Sequence, residues 1–343
     1  MVIQDDLKRN LLFFKNPITS IMKKNALIIF LIIFPVLLSC KSDNSTQAIQ
    51  SVVGAETTDT SNNELSSAYF FPYNLESPSE KFKLPEELME ISGIDFNKKS
   101  ELLCVQDEVG KVYVYDIKKG ELKESVKFGE KGDYEGVAVV RDTIWVLSSD
   151  GNLRRIVNFN SQKQETIEFK TPLNESNDTE GLCYDRKNHR LLIACKDKPG
   201  AAMKGTRAIY GFDLKTNTIS ATPVYTIKIE AIKIYLAQTD RFKSISNELQ
   251  SLLDPGKGDL AFQPSEVHVH PVTDQVYLIS SVGNLLLVLN RDNTIQYITQ
   301  LNTEVLKQPE GLTFLADGTM YISDEGRDGR ANILKFNYNR NEK

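Results

Sequence analysis

The chain has 343 residues, 41% hydrophobic and 25% charged, with 41 Lys and Arg against 46 Asp and Glu for a formal net charge of −5. That mixture excludes a disordered chain, a collagen-like repeat and a coiled coil. No Lys/Arg block is present, which argues against nucleic acid as the main partner, because phosphate neutralisation needs a clustered basic face.

The first element in chain order is an export segment. Lys23-Lys24 precede an uncharged run of thirteen residues, Ala26 to Leu38, which is too short for a bilayer span of about 20 residues. The run ends in Leu37-Leu38-Ser39-Cys40, which resembles the lipobox of bacterial lipoproteins. The resemblance implies a signal peptide over residues 1–39, with Met22 the expected start, and a lipidated Cys40 as first mature residue. Membrane attachment at Cys40 and a place in the cell envelope follow, the outer membrane before the inner. Removing residues 1–39 takes away five Lys/Arg and two Asp, so the net charge moves from −5 to −8. Residues 40–67 are rich in Ser, Thr, Asn and Gln and read as a flexible tether.

Cys104, Cys183 and Cys195 remain, an odd set that makes a poor disulfide framework. Cys183 and Cys195 flank a hairpin turn around Arg186-Lys187-Asn188-His189 and could pair across neighbouring strands; plain burial is the alternative.

From residue 68 onward short strands dominate, and five units repeat. Each opens on a polar residue, a small or acidic one, then apolar positions one apart: Ser92-Gly93-Ile94, Glu135-Gly136-Val137, Glu180-Gly181-Leu182, Ser265-Glu266-Val267 and Glu310-Gly311-Leu312. The first residues are spaced 43, 45, 85 and 45 apart. A mid-forties period in an all-β chain predicts a β-propeller over residues 68–340. The last unit lacks a fourth strand, so the segment Tyr69 to Leu84 is expected to supply it and close the ring. The double spacing reads as five blades with a helical insertion near 231–253, marked by Ile232, Leu236, Phe242, Ile245, Leu249 and Leu252 with Pro255-Gly256 as a stop; six blades is the alternative.

In a propeller the inner strands border one tunnel, so Glu135, Glu180 and Glu310 converge with Ser92 and Ser265. Like charges in a narrow tunnel either protonate or gather a cation, and hard oxygen donors suit Ca²⁺ or Mg²⁺. The structural alternative has each glutamate bonding backbone amides of a neighbouring blade. A second set follows the second strands: Asp107, Glu108, Asp150, Asp197, Asp324 and Glu325, expected on an acidic ligand-binding rim with Arg327 and Arg330. His268 and His270, two apart on a strand, point to one side; zinc would need a further ligand, and packing is the alternative.

Glu90-Ile91-Ser92-Gly93-Ile94, Gly132-Asp133-Tyr134-Glu135-Gly136, Leu147-Ser148-Ser149-Asp150-Gly151, Thr179-Glu180-Gly181-Leu182 and Gln308-Pro309-Glu310-Gly311-Leu312 are similar to the SdiA-regulated family, also called YjiK-like. The resemblance implies an envelope-located β-propeller, with some members linked to calcium response. More distantly the chain resembles propeller phytases and lactonases that hold Ca²⁺ in or near the tunnel, which by analogy implies calcium at Glu135, Glu180 and Glu310.

Two functions are therefore expected. The first is a lipid-anchored propeller that binds a cation, calcium, together with a small ligand or an envelope partner, and it assigns no catalytic residue. The second is a metal-dependent hydrolase of phosphate esters or lactones, in which a tunnel carboxylate such as Glu180 or Glu310 activates water. Such an enzyme acting on phosphate needs cations near the metal, and Lys196, Arg327 and Arg330, then Lys204 and Arg207, are the few candidates; that shortage favours binding.

Overall fold

The computed structural model describes residues 69–200, 203–238, 262–325 and 329–340. Cys40, the export segment, the tether and Arg327 lie outside them.

Runs of β-branched and aromatic residues are punctuated by turns that demand positive φ. Arg141, Asn158, His189, Asn217, Asp274 and Asn293 supply it at six hairpin turns, where the short polar side chain of Asn or Asp tolerates the left-handed conformation. His189 has that role. The first strand, β1 (Glu80–Lys83), is followed by blade one: β2 (Ile91–Lys98), β3 (Glu101–Gln106), β4 (Val109–Asp116) and β5 (Glu121–Lys131). Blade two holds β6 (Tyr134–Val140), β7 (Thr143–Ser148), β8 (Leu153–Val157) and β9 (Glu165–Phe169). Blade three holds β10 (Thr179–Asp185), β11 (Arg190–Cys195) and β12 (Thr206–Asp213), and its outer edge is divided between β13 (Thr218–Ile219) and β14 (Tyr225–Lys228). The helix α1 (Ile229–Gln238) follows. Blade four is β15 (Glu266–Val269), β16 (Val276–Ser280), β17 (Leu285–Leu289) and β18 (Ile295–Gln300). Blade five is β19 (Pro309–Phe314), β20 (Met320–Asp324) and β21 (Asn332–Phe336), with β1 as its fourth strand.

The chain is thus a five-bladed propeller closed by its own N-terminal side. β1 runs antiparallel to β21 with Glu80 opposite Lys335 and Lys83 opposite Asn332. Every blade presents two buried faces, because side chains alternate along a strand. Val137, Val146 and Ile156 of blade two pack on Leu103, Val105 and Val114 of blade one. Trp145 and Leu147, on its other face, pack on Leu191, Ile193 and Phe212 of blade three. The core is therefore five clusters, one per blade interface.

The expected helix begins at Ile229, two residues earlier than the spacing suggested, and the part of the expectation beyond Gln238 lies outside the described residues. Ile229, Ile232 and Leu236 seat it in the cluster between blades three and four. Cys183 and Cys195 are free, which corrects the candidate pairing. Cys183 lies opposite Leu192, whereas Cys195 lies opposite Thr179, and the two thiols enter different clusters on opposite faces of blade three.

Candidate functional site

Each inner strand begins, and each second strand ends, on one face of the ring. Antiparallel pairing dictates this. Four inner strands carry an irregularity at the polar–glycine pair: between Ile91 and Ile94, Tyr134 and Gly136, Thr179 and Leu182, and Pro309 and Leu312. Such a bulge re-aims a side chain; Glu135, Glu180 and Glu310 stand on three of them with their carboxyls close enough to act on one another, and Ser92 stands on the fourth. The glycines that follow are packing devices. A Cβ on Gly181 would stand 2.7 Å from the Val267 nitrogen, and one on Gly136 would stand 2.5 Å from Leu182 Cβ.

Blade four departs from the pattern. β15 pairs regularly from Glu266, opposite Ile279, and Glu266 stands where the other blades have glycine. Its carboxylate turns inward and accepts the amides of Leu182 (2.8 Å) and Val267 (2.9 Å). Complete burial pushes its acidity far down, so the carboxyl is held well above the usual carboxylate range. Asp95 has the matching role between blades one and two, accepting the Val139 amide at 2.7 Å. The carboxylate-to-amide bonding foreseen for the repeat glutamates therefore belongs to Asp95 and Glu266. Ser265 gives its hydroxyl to the Pro309 carbonyl (2.9 Å), tying blade four to blade five.

At the mouth, Lys196 Nζ donates to Glu180 Oε1 at 2.7 Å. Burial acts against the ammonium, but the attraction of Glu180 and Glu310 outweighs it and raises its affinity for the proton. Burial and the neighbouring Glu180 drive Glu135 strongly upward, helped by a hydrogen bond with Asp133. Glu180 is also raised by burial, which Lys196 opposes. Glu310 is pushed up to about 8, first by burial and then by Glu180 and Glu325. Glu325 reaches about 7 and Asp107 about 6, both first through burial and then through Glu90. Among the described residues, carboxylates from blades one, two, three and five thus act on one another beside the Lys196 ammonium.

The other expected rim residues divide. Glu108 is exposed and Asp197 half-buried, beside Asp107 and Asp178 respectively. Asp150 is a turn builder: it accepts from the Ser148 hydroxyl (2.7 Å), the Asn152 amide (3.1 Å) and Asn152 Nδ2 (2.6 Å). Asp324 is buried and accepts the Gln308 amide at 2.6 Å. Ser92 is buried, its carbonyl accepting the Ser323 hydroxyl at 3.0 Å. Arg207 donates Nε to the Phe262 carbonyl (2.7 Å), and Lys204 lines a separate cleft.

Sequence reasoning did not single out Glu90, Asp133 or Asp178 as site residues. Each stands two residues before a repeat position already noted, Ser92, Glu135 or Glu180, and the period of two in extended chain was the signal that could have found them.

The histidines are packing residues. His270 Nδ1 accepts the amides of Val272 and Thr273, and Nε2 lies 2.7 Å from the Tyr73 hydroxyl, which donates to the Gly318 carbonyl. Burial lowers it to about 4, so it is neutral. His268 stands 3.3 Å from Thr313 Oγ1 and 3.7 Å from Asp95. Among the described residues, no group of three or more His, Cys, Asp or Glu is arranged to hold a metal ion. The mouth has the hard oxygen donors that calcium prefers, but Lys196 occupies the contact with Glu180.

The family model described as SdiA-regulated matches residues 78–327. No curated protein matches the chain. Among solved structures the chain is similar to glutaminyl cyclase from Myxococcus xanthus, at 10% identity over 77% of this chain and 96% of that one, with a TM-score of 0.49. It is also similar to a luciferin-regenerating enzyme (10% identity, 76% and 95%, TM-score 0.45). A third is virginiamycin B lyase from Staphylococcus aureus (13% identity, 75% and 69%, TM-score 0.39).

Proposed function

The chain belongs to the SdiA-regulated family, and on that premise we propose that it is a lipid-anchored envelope propeller that binds rather than transforms its ligand, with a cation-accepting tunnel mouth. Calcium is the cation to test, and a small ligand or an envelope partner would meet the same face. The observation that carries the reading is the charge imbalance at the mouth, where Glu135, Glu180, Glu310, Glu325 and Asp107 press on one another and Lys196 is the cation among them. A bound divalent ion relieves that repulsion by displacing protons. Glu135 and Glu310 offer the oxygens that Lys196 does not touch. The hydrolase reading gains nothing from this geometry, because Lys196, the ammonium described among these carboxylates, is committed to Glu180.

Calorimetric titration of calcium into the chelator-treated protein tests the reading. Binding should strengthen from pH 6 to pH 8 as the carboxyls give up protons, and Glu135→Gln with Glu310→Gln should weaken it at least about tenfold, the scale of 1.4 kcal/mol. A wild-type protein that takes up no calcium at pH 8 would sink the cation part of the proposal.

A further inference from the structure

Blade five ends, at the mouth face, in a row that runs outward from the tunnel. Pro309 pairs with Asp324, Asp324 with Asn332, and Asn332 with Lys83. The inner end of the row adjoins Glu310. Its outer end opens into a cleft of about 280 Å³ between β1 and the connection from blade four to blade five. Its charged lining reverses the character of the mouth, since Lys81, Lys83, Lys307 and Arg330 face Glu304 and Asp324.

Three observations make this more than surface lysines. First, the cations come from three separate segments. Lys81 and Lys83 share one side of β1, with Phe82 turned to the apolar cluster on the other. Lysines that merely blunt an edge strand would not converge with Lys307 and Arg330 on one hollow. Second, no direct hydrogen bond or close ion pair to a described residue holds any of the four side chains, although Lys81 and Lys307 act on the Asp324 carboxyl through space, whereas Lys98, Lys123, Lys127, Lys187, Lys196 and Lys335 all pair directly with carboxylates. Third, the buried Asp324 accepts the backbone amides of Gln308 and Lys307 and feels the charges of Lys81 and Lys307, so that among the described lining residues four cations stand against two carboxylates, Asp324 and Glu304.

We infer that this cleft is an anion site for a phosphate group, carried by a soluble phosphate ester or by a lipid headgroup. A tetrahedral dianion accepts charge-assisted bonds from several directions at once, which suits ammonium groups arriving from separate segments. A planar carboxylate is matched by a single guanidinium fork. The site is independent of the cation-binding mouth.

The test is titration of the full chain with inorganic phosphate at low ionic strength, with a chelator present so that no metal at the mouth can carry phosphate in. Acetate serves as the control for general screening. Phosphate should bind more tightly than acetate, and Lys81→Gln with Lys83→Gln, or separately Lys307→Gln with Arg330→Gln, should each weaken it about tenfold. These side chains are exposed, so melting temperatures of the variants should match wild type and exclude unfolding as the cause. Glycerol phosphate and vesicles of anionic phospholipid, set against phosphatidylcholine vesicles, then identify the carrier. Competition by either supports the site. Phosphate no tighter than acetate, or unchanged binding in both paired variants, overturns it.

Discussion

Lys196 and the residues it faces illustrate how one side chain sets the behaviour of its neighbours. Glu310 is held up at about 8 and Glu325 at about 7, above the ordinary carboxylate range near 4. The folded state therefore binds more protons than the unfolded chain between those limits. By linkage, stability contributed by these groups is present at low pH and is lost as pH rises from about 4.5 toward about 8. Metal-free protein should melt lower at pH 8 than at pH 5, by roughly 2–4 °C for each kcal/mol of repulsion expressed. Glu310→Gln should recover part of the loss at pH 8 and change little at pH 5, as read by thermal melts. An equal drop in wild type and variant would show that Glu310 is not a source of the strain. The carboxylates were legible in the sequence because they recur, whereas Lys196 stood out only as one of a few candidate cations; its contact with Glu180 across the turn after β11 could not be read from the sequence.

At the scale of the element, the inner strand is governed by how closely it approaches the next blade. Gly93, Gly136, Gly181 and Gly311 leave no room for a Cβ, so the polar–glycine pair is first a packing signature and only then a site signature. Gly181→Ala should cost about 1–3 kcal/mol as overpacking, measured by denaturant titration. Gly329→Ala, where nothing lies within 4 Å, should cost far less. Equal effects would mean that strand approach is not the constraint. The period and the strand order could be read from these units because each repeats the same local chemistry. Blade four could not, since Ser265-Glu266 keeps the polar pattern while losing the glycine, and only the regular pairing of β15 reveals that its carboxylate turns inward. The divided outer edge of blade three was equally hidden, because β13 and β14 are too short to show a period.

At the scale of the molecule, the two charged features share one face, an acidic tunnel mouth and a basic cleft at the edge of blade five. Intact-mass measurement should find a mature chain that begins at Cys40 and carries acyl mass, and Cys40→Ser should abolish the added mass. A chain that retains residues 1–39 would overturn the anchor. The closing strand has a further consequence, for the order of folding. β1 is synthesised before any blade, yet its register partners are Asn332 to Lys335, with Ser79 N–H reaching the Lys335 carbonyl at 2.8 Å. Loop closure over some 255 residues adds only a slowly growing entropy cost to stability, but it delays the contact in time. Until the final blade emerges, β1 is an unpaired strand, open to association with other chains. The ring therefore closes, and its first strand finds its partner, in a single late step.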